Sequence, residues 1–389
     1  MIRQFISIPL IFILIGYSCT HENSPKLNIP SIQTSDCVGA ERLSDVFSIT
    51  GYTRLETNEN CLLKSPAKII FYENKLYLMD DPSGEKEAIY CFDKAGKFLY
   101  PIGRAGENLG EYAGLRDFDI DKENQEIVTL VAGKMAFMRY SLDGKFSGQI
   151  PTPFFGDQLV ILNKNHYLVY NEGNAVSDEE CFYLYHTNSK GKINKKEIPY
   201  NPAMDNASYA FTGFLVPGVE GSLFAPPFSD TIYAIDMQGN SRPILQVNTG
   251  PTKITPDIYN DITKIVSVGL NTSYLNSITA ATNKAHIFSY FFDRRVREAL
   301  YFWEEGRCVD LSTAGKKDAL FQLFGEHGLL QCHTEDTFMV LIDPPKLLEL
   351  AAKDPETWAA AEQEYPILFQ IRKEVTSTDN PVILFVKVK

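Results

Sequence analysis

Positive charge is scarce in this chain: 37 Lys and Arg stand against 49 Asp and Glu, for a formal net charge of −12 over 389 residues. Binding to a nucleic-acid backbone calls for a basic face, and no long basic block supplies one, so nucleic acid is excluded as a partner. The catalytic signatures are missing too. There is no H-E-x-x-H helix and no G-x-S-x-G elbow, so zinc-protease and α/β-hydrolase chemistry lack their residues. Without a paired C-x-x-C, Cys308, Cys332 and His333 read as core or surface residues before zinc ligands. No catalytic or metal-ligating residue is assigned, the cofactor stays open, and the balance is against an enzyme.

Long hydrophobic runs are absent except at the start. Arg3 is followed by an apolar run from Phe5 to Tyr17, and Gly16-Tyr17-Ser18 places small residues before Cys19. The run reads as an export signal, residues 1–18, and is short for a membrane span. The pattern resembles a bacterial lipoprotein signal, which implies lipidation of Cys19; the alternative is a plain signal peptide with an incidental cysteine. Residues 19–45 are polar, hold Pro25 and Pro30, and read as a flexible tether. A folded domain is expected over 46–389.

Six cysteines remain: Cys37, Cys61, Cys91, Cys181, Cys308 and Cys332. Their spacings match no compact disulfide framework, and a domain this large has no need of one. Cys91 and Cys181 lie in apolar strand patterns and are expected as buried thiols.

What the chain does have is a beat. Tyr90-Cys-Phe-Asp-Lys-Ala-Gly96, Tyr140-Ser-Leu-Asp-Gly144, Tyr185-His-Thr-Asn-Ser-Lys-Gly191 and Tyr233-Ala-Ile-Asp-Met-Gln-Gly239 are strands running into a polar turn with glycine. The glycines step from 96 to 144 to 191 to 239. A repeat of roughly 40 to 50 residues holding four short strands is the unit of a β-propeller. The first unit parses directly: Ala67–Phe71, Leu76–Met79, Ala88–Phe92 and Phe98–Ile102, with turns at 72–75 and 94–97. Later units repeat it, with helical interruptions near 257–268 and 345–365, where Asp354 is an N-cap and Pro355 opens a helix. Val46–Leu55 has no blade of its own. It is expected to pair with the terminal strand Val382–Val388 and close the last blade, for a count of six, with seven as the alternative.

The segment Leu55-Glu56-Thr57, the glycine loop Ile102-Gly103-Arg104 through Gly106 to Gly110-Glu111-Tyr112, the Asp and Gly turns, and Asp379-Asn380-Pro381 together resemble six-bladed β-propeller lipoproteins of the Bacteroides group. That family is related in architecture to NHL-type and TolB-like propellers. Asn108 and Leu109 stand where the family carries glycine and proline. The resemblance implies an all-β, six-bladed propeller with four-stranded antiparallel blades, and it implies no activity.

The glycine loop is the candidate site. Its spacing fits neither a Rossmann fingerprint nor a P-loop, because an alternating strand from Leu115 to Asp121 follows it instead of a helix. The expected role is a tight blade-to-blade turn in which Arg104 pairs with Glu107 or Glu111; Arg104, Glu107, Glu111 and Tyr112 are the ligand-binding candidates if it binds anything. Asp117, Asp119 and Asp121 invite calcium, but Lys122 and Val128 occupy the glycine and glutamate positions of an EF-hand loop. His166, His186 and His286 read as satisfied structural histidines. Trp303 and Trp358 read as packing before sugar platforms.

The functional expectation is an envelope lipoprotein, anchored in the lipid bilayer, whose propeller binds an envelope protein or glycan partner. Periplasmic or surface exposure stays open. The alternative is a metal-dependent lyase, lactonase or glycan-processing enzyme using the central channel.

Overall fold

The computed structural model describes residues 29–82, 84, 86–171, 181–200, 215–218, 220–259, 261–314, 318–324, 330–334 and 336–389. The export signal, Cys19 and the first part of the tether lie outside the described residues. Three strands come first: β1 (Ser31–Gln33), β2 (Val38–Gly39) and β3 (Phe47–Arg54). Blade 1 then follows as β4 (Pro66–Tyr72), β5 (Lys75–Asp80), β6 (Ala88–Asp93) and β7 (Phe98–Pro101). Blade 2 is β8 (Leu115–Asp121), β9 (Glu126–Val131), β10 (Ala136–Ser141) and β11 (Phe146–Pro151), and blade 3 is β12 (Gln158–Asn163), β13 (His166–Tyr170), β14 (Phe182–Thr187) and β15 (Ile193–Pro199).

Blade 4 comprises β16 (Leu215–Gly218), β17 (Gly221–Phe224), β18 (Thr231–Ile235) and β19 (Ser241–Asn248). After helices α1 (Pro256–Tyr259) and α2 (Ile262–Val268), blade 5 is β20 (Tyr274–Ala281), β21 (Ala285–Phe292), β22 (Arg295–Phe302) and β23 (Arg307–Asp310). Helix α3 (Ala319–Phe324) leads to blade 6. There β24 (Leu330–Thr334) and β25 (Thr337–Ile342) are followed by α4 (Pro344–Lys353), α5 (Pro355–Glu364) and α6 (Pro366–Glu374), then β26 (Val382–Val388). The chain is a six-bladed β-propeller. Strand β3 lies antiparallel to β26, from Phe47 opposite Val388 to Arg54 opposite Val382, so the ring closes as the sequence predicts.

The repeated turn has a local cause. In each case the residue three before the glycine turns its side chain back onto the turn amides: Asp93 Oδ1 accepts from Lys97 N at 2.9 Å, Asn188 Oδ1 from Lys192 N at 3.1 Å, and Asp236 Oδ1 from Asn240 N at 2.8 Å. Ser141 does the same for Lys145 N at 3.2 Å. All four glycines have φ between 74° and 85°, where a side chain is strained.

There is no single core. Six hydrophobic clusters fill the six seams between neighbouring blades, because alternate residues of each strand face one neighbour and the rest face the other. Tyr77, Phe118 and Tyr140 fill the seam between blades 1 and 2; Phe137, Phe154 and Tyr185 fill the next. The cluster at the seam of blades 5 and 6 is extended by α3 to α6, through Leu320, Leu347, Trp358 and Leu368.

Several expectations change. The tether is not free over its whole length: β1 adds parallel to β19 and β2 parallel to β23, which makes blades 4 and 5 five-stranded. Cys37 and Cys308 form a disulfide across 271 residues, which removes Cys308 from any zinc set. Cys91 is a buried thiol outside any disulfide, and Cys181 is buried. The second helical insertion runs on to Glu374, and Asp354 caps α5 by accepting from Thr357 N at 3.1 Å. No helix among the described residues is long and apolar enough to cross a membrane.

Antiparallel order sorts the connections into two sets. Hairpin turns join first to second strands and, in blades 1 to 5, third to fourth strands at one end of each blade. The second-to-third connections, which range from Asp293-Arg294 in blade 5 to the helical insertion of blade 6, lie with the blade-to-blade connections at the other end, and α1 to α6 belong to this second set.

Candidate functional site

The glycine loop lies among the long connections, joining β7 to β8. It is folded on itself. Gly106 N donates to Tyr112 O at 2.9 Å and Tyr112 N to Arg104 O at 3.0 Å, so residues 104–112 form a pinched loop with Asn108 and Leu109 at its tip. Lys134, from the β9–β10 connection, donates through Nζ to Glu107 O at 3.2 Å and Asn108 O at 2.9 Å and ties the tip down.

Of the four candidate residues, three are committed to this framework. Tyr112 is fully buried; its hydroxyl donates to Ile102 O and accepts from Ile89 N, both at 3.1 Å. Glu111 accepts from Asn108 N at 3.0 Å and from Arg104 Nε at 2.6 Å. The amide of Asn108 and, behind it, the Arg104 guanidinium hold the Glu111 carboxyl below its ordinary range. Arg104 therefore pairs with Glu111, but 78% of its side chain is exposed. Glu107 is exposed and contributes its carbonyl to Lys134. The loop that reads as a turn is built as a turn. It brings Arg104, Glu111 and Tyr112 together and offers a ligand only the outer face of Arg104 and the tip.

Inner strands carry the next set of candidates. Lys68 of β4 donates to Asp117 of β8 at 2.9 Å, buried, and reaches Leu159 O of β12 at 3.4 Å. Asp117 and Asp119 each accept an edge amide of β12, Leu159 N and Ile161 N, both at 2.7 Å. Asp121 accepts from Tyr167 Oη at 2.9 Å. Burial pushes the Asp119 carboxyl up, against the pull of Lys68. The acidic face that invites calcium thus seals the open edge of the next blade, an amide-capping job that alternation along β8 makes possible. No cluster of three or more His, Cys, Asp and Glu suited to a metal exists among the described residues.

At the hairpin-turn end, Asn124, Glu126, Arg139, Lys164, Asn165 and Ser189 line a wide polar cavity of about 430 Å³ between blades 2 and 3. Its cations are already engaged: Arg139 with Glu126 at 3.4 Å and Ser189 O at 2.7 Å, and Lys164 with Glu123 at 3.3 Å.

Residue-by-residue sequence reasoning missed a surface. Leu62, Leu109, Phe155, Val266 and Leu270 are exposed apolar residues, and every one lies in a blade-to-blade connection. Phe369 joins them from α6, in the long connection of blade 6. Leu109 is 82% exposed and Val266 74%. Among the exposed large hydrophobics of the described residues, Val38, Leu99 and Met237 alone fall outside these connections. The available signal was apolar residues inside turn-rich segments, Leu109 at the altered loop centre above all. Of the three histidines, His166 and His186 are hydrogen-bonded as expected, but His286 is buried among Phe288, Tyr301 and Trp303, and neither of its ring nitrogens has a hydrogen-bond partner among the described residues. Trp358 is buried and donates to Glu362 at 2.8 Å, a packing role.

Comparison with known proteins returns the same architecture. The family described as a domain of unknown function, DUF4934, matches residues 29–387. A solved structure of a Bacteroides fragilis protein described as exported is similar over 93% of this chain and 99% of its own, at 18% identity and a TM-score of 0.73. A DUF4221 member from Bacteroides vulgatus is similar over 88% of this chain and 98% of its own, at 9% identity and a TM-score of 0.54. No curated protein matches.

Proposed function

The chain belongs to the DUF4934 family, and from that premise we propose that it is an exported binding module, lipid-anchored through Cys19 at the bacterial envelope, whose long-connection end captures a protein partner. One observation carries the reading: among the described residues, Leu62, Leu109, Phe155, Val266 and Leu270 are exposed on blade-to-blade connections, whereas the hairpin turns expose one large hydrophobic, Met237. Apolar residues exposed together at one end of a rigid scaffold are a usual mark of a protein–protein contact. The leader sequence and the exported description of the Bacteroides fragilis relative support the location. The channel carboxylates that a metal enzyme would draw on, Asp117 and Asp119, are spent on amides and Lys68, so the enzyme alternative gains nothing from the geometry.

The test is co-purification from native envelopes with the wild type and a Leu109→Glu, Leu270→Glu double variant of unchanged melting temperature. The wild type should enrich a discrete partner and the double variant should lose it. Recovery of the same proteins by both would overturn the reading. Replacement of Cys19 by Ala should move the protein from the membrane to the soluble fraction, since a single lipid signal is the proposed anchor; retention after washing would refute the anchor alone.

A further inference from the structure

Of the four glycines of the repeated turn, one has a neighbour unlike the other three. A Cβ on Gly96 would collide with Arg54 O, on Gly144 it would lie 2.5 Å from Pro101 O, and on Gly191 2.7 Å from Pro151 O. In each case the third-to-fourth-strand turn of one blade seats on the backbone carbonyl that ends the outer strand of the blade before it. At Gly239 the neighbour is a titratable ring instead: a Cβ there would collide with the imidazole of His166.

That ring begins a chain of polar groups through the seam of blades 3 and 4. His166 Nε2 lies 2.8 Å from His186 Nδ1, and His186 Nε2 lies 3.0 Å from Glu197 Oε2. From blade 4, Ser241 Oγ donates to the same carboxylate oxygen at 2.5 Å, and Lys195 pairs with the other oxygen while donating to Gly239 O at 3.5 Å. Asn163 Nδ2 donates to Met237 O at 2.9 Å alongside. The charged groups facing the histidines are therefore Lys195 and Glu197 from β15 and Asp236 from the β18–β19 turn.

Proton placement follows from valence. An ionised Glu197 requires His186 to donate through Nε2, which leaves His186 Nδ1 as an acceptor and makes His166 donate through its own Nε2. The chain is complete with one proton on each ring. His166 Nδ1 has no partner among the described residues, so a first added proton sits there without breaking a bond, but places a cation beside Lys195. A second must go on His186 Nδ1, where it faces the N–H of His166. The contact then holds two donors and no acceptor.

We propose that the seam between blades 3 and 4 is an acid-sensitive latch, in which the His166–His186–Glu197 chain takes the place of the backbone seat used at three other turns and opens when both histidines are protonated. Burial, followed for His166 by Lys195, pushes both rings below the ordinary histidine range, and the pull of Glu197 does not reverse it. Burial also raises the Glu197 carboxyl, but hydrogen bonds from Lys195, Ser241 and His186 outweigh it and keep the group ionised. The neutral pair is thus the closed state near neutrality, and acid works against the seam.

Hydrogen exchange on the full chain at about pH 7.5 and about pH 5, corrected for the intrinsic pH dependence of amide exchange, tests this. Residues 232–241 should lose protection by about tenfold or more at the lower pH, while the turns at 93–97 and 141–145 keep theirs. In His186→Gln, the amide oxygen accepts from His166 and the amide nitrogen donates to Glu197, so the seam stays closed and the acid response should vanish. Equal protection of 232–241 at both pH values in the wild type, loss in all three turns together, or an unchanged response in His186→Gln would each overturn the latch. If that variant does not fold, imidazole NMR of the wild type decides. Coupled titration of the two rings below the ordinary range supports the latch, and independent titration at the ordinary value overturns it.

Discussion

Gly103 and Arg104 are neighbours in the glycine loop and should fail in different ways. Gly103 has φ 60°, and a Cβ there would lie 2.7 Å from the ring of Tyr140 and 2.9 Å from that of Tyr112. Gly103→Val should therefore destabilise the protein by about 1–3 kcal/mol, read as a lowered denaturation midpoint. Arg104→Ala removes a mostly exposed side chain and should leave the midpoint close to that of the wild type. Loss of partner capture by Arg104→Ala at unchanged stability would show that the loop binds. A larger effect is expected at Asp117. Replacing it by Ala strands the buried Lys68 ammonium and frees the Leu159 amide, for a loss of about 3–5 kcal/mol in urea denaturation.

His286 carries a pH prediction of its own. Burial alone pushes it down to about 3. The unfolded state then binds the extra proton between the ordinary histidine value near 6.5 and about 3, so stability is full above that window and falls as pH drops through it. The slope from this one group is at most about 1.4 kcal/mol per pH unit. His286→Phe, placed among Phe288, Tyr301 and Trp303, should flatten the curve of unfolding free energy against pH between 6.5 and 4, and an unchanged slope would count against a neutral buried ring.

Among the elements, β26 has the most depending on it. It pairs with β25 on one side and β3 on the other, so its loss would expose an edge of β25, leave β3 without a paired strand and open the ring. Deleting residues 382–389 should abolish the cooperative thermal transition. A wild-type melt after truncation would mean that closure lies elsewhere. The elements also differ in how legible they were. β4 to β7 could be placed almost residue by residue, because apolar alternation and a self-bonding Asp turn are written within a few residues of each other. β1 and β2 could not: at three and two residues they carry no period, and they exist as strands only because the edges of β19 and β23 are there to receive them.

At the scale of the whole molecule, the disulfide joins the N-terminal segment to blade 5 and encloses blades 1 to 5 in one covalent loop. In the chain-entropy account a closure this long constrains the unfolded state by roughly 5 kcal/mol. Cys37→Ser should lower the melting temperature under oxidising conditions and abolish its response to reductant. An identical melt for variant and wild type would show that β1 and β2 hold the segment unaided.

The sequence by itself determined the blade, the beat of blades and the closing partnership of β3 with β26. Each rests on information carried locally: alternation along a strand, an Asp, Asn or Ser three residues before a glycine, and two strands left over at the chain ends. Tertiary structure alone decided what sits in the seams. The pairing of Cys37 with Cys308, the capping of β12 amides by Asp117 and Asp119, and the seating of Gly239 on His166 in place of a carbonyl all join segments distant in the chain. A repeat announces that blades are alike. It does not say which face of a strand meets which neighbour, because that depends on how each twisted blade is laid against the next, and burial and hydrogen-bond satisfaction are settled only when the ring is closed.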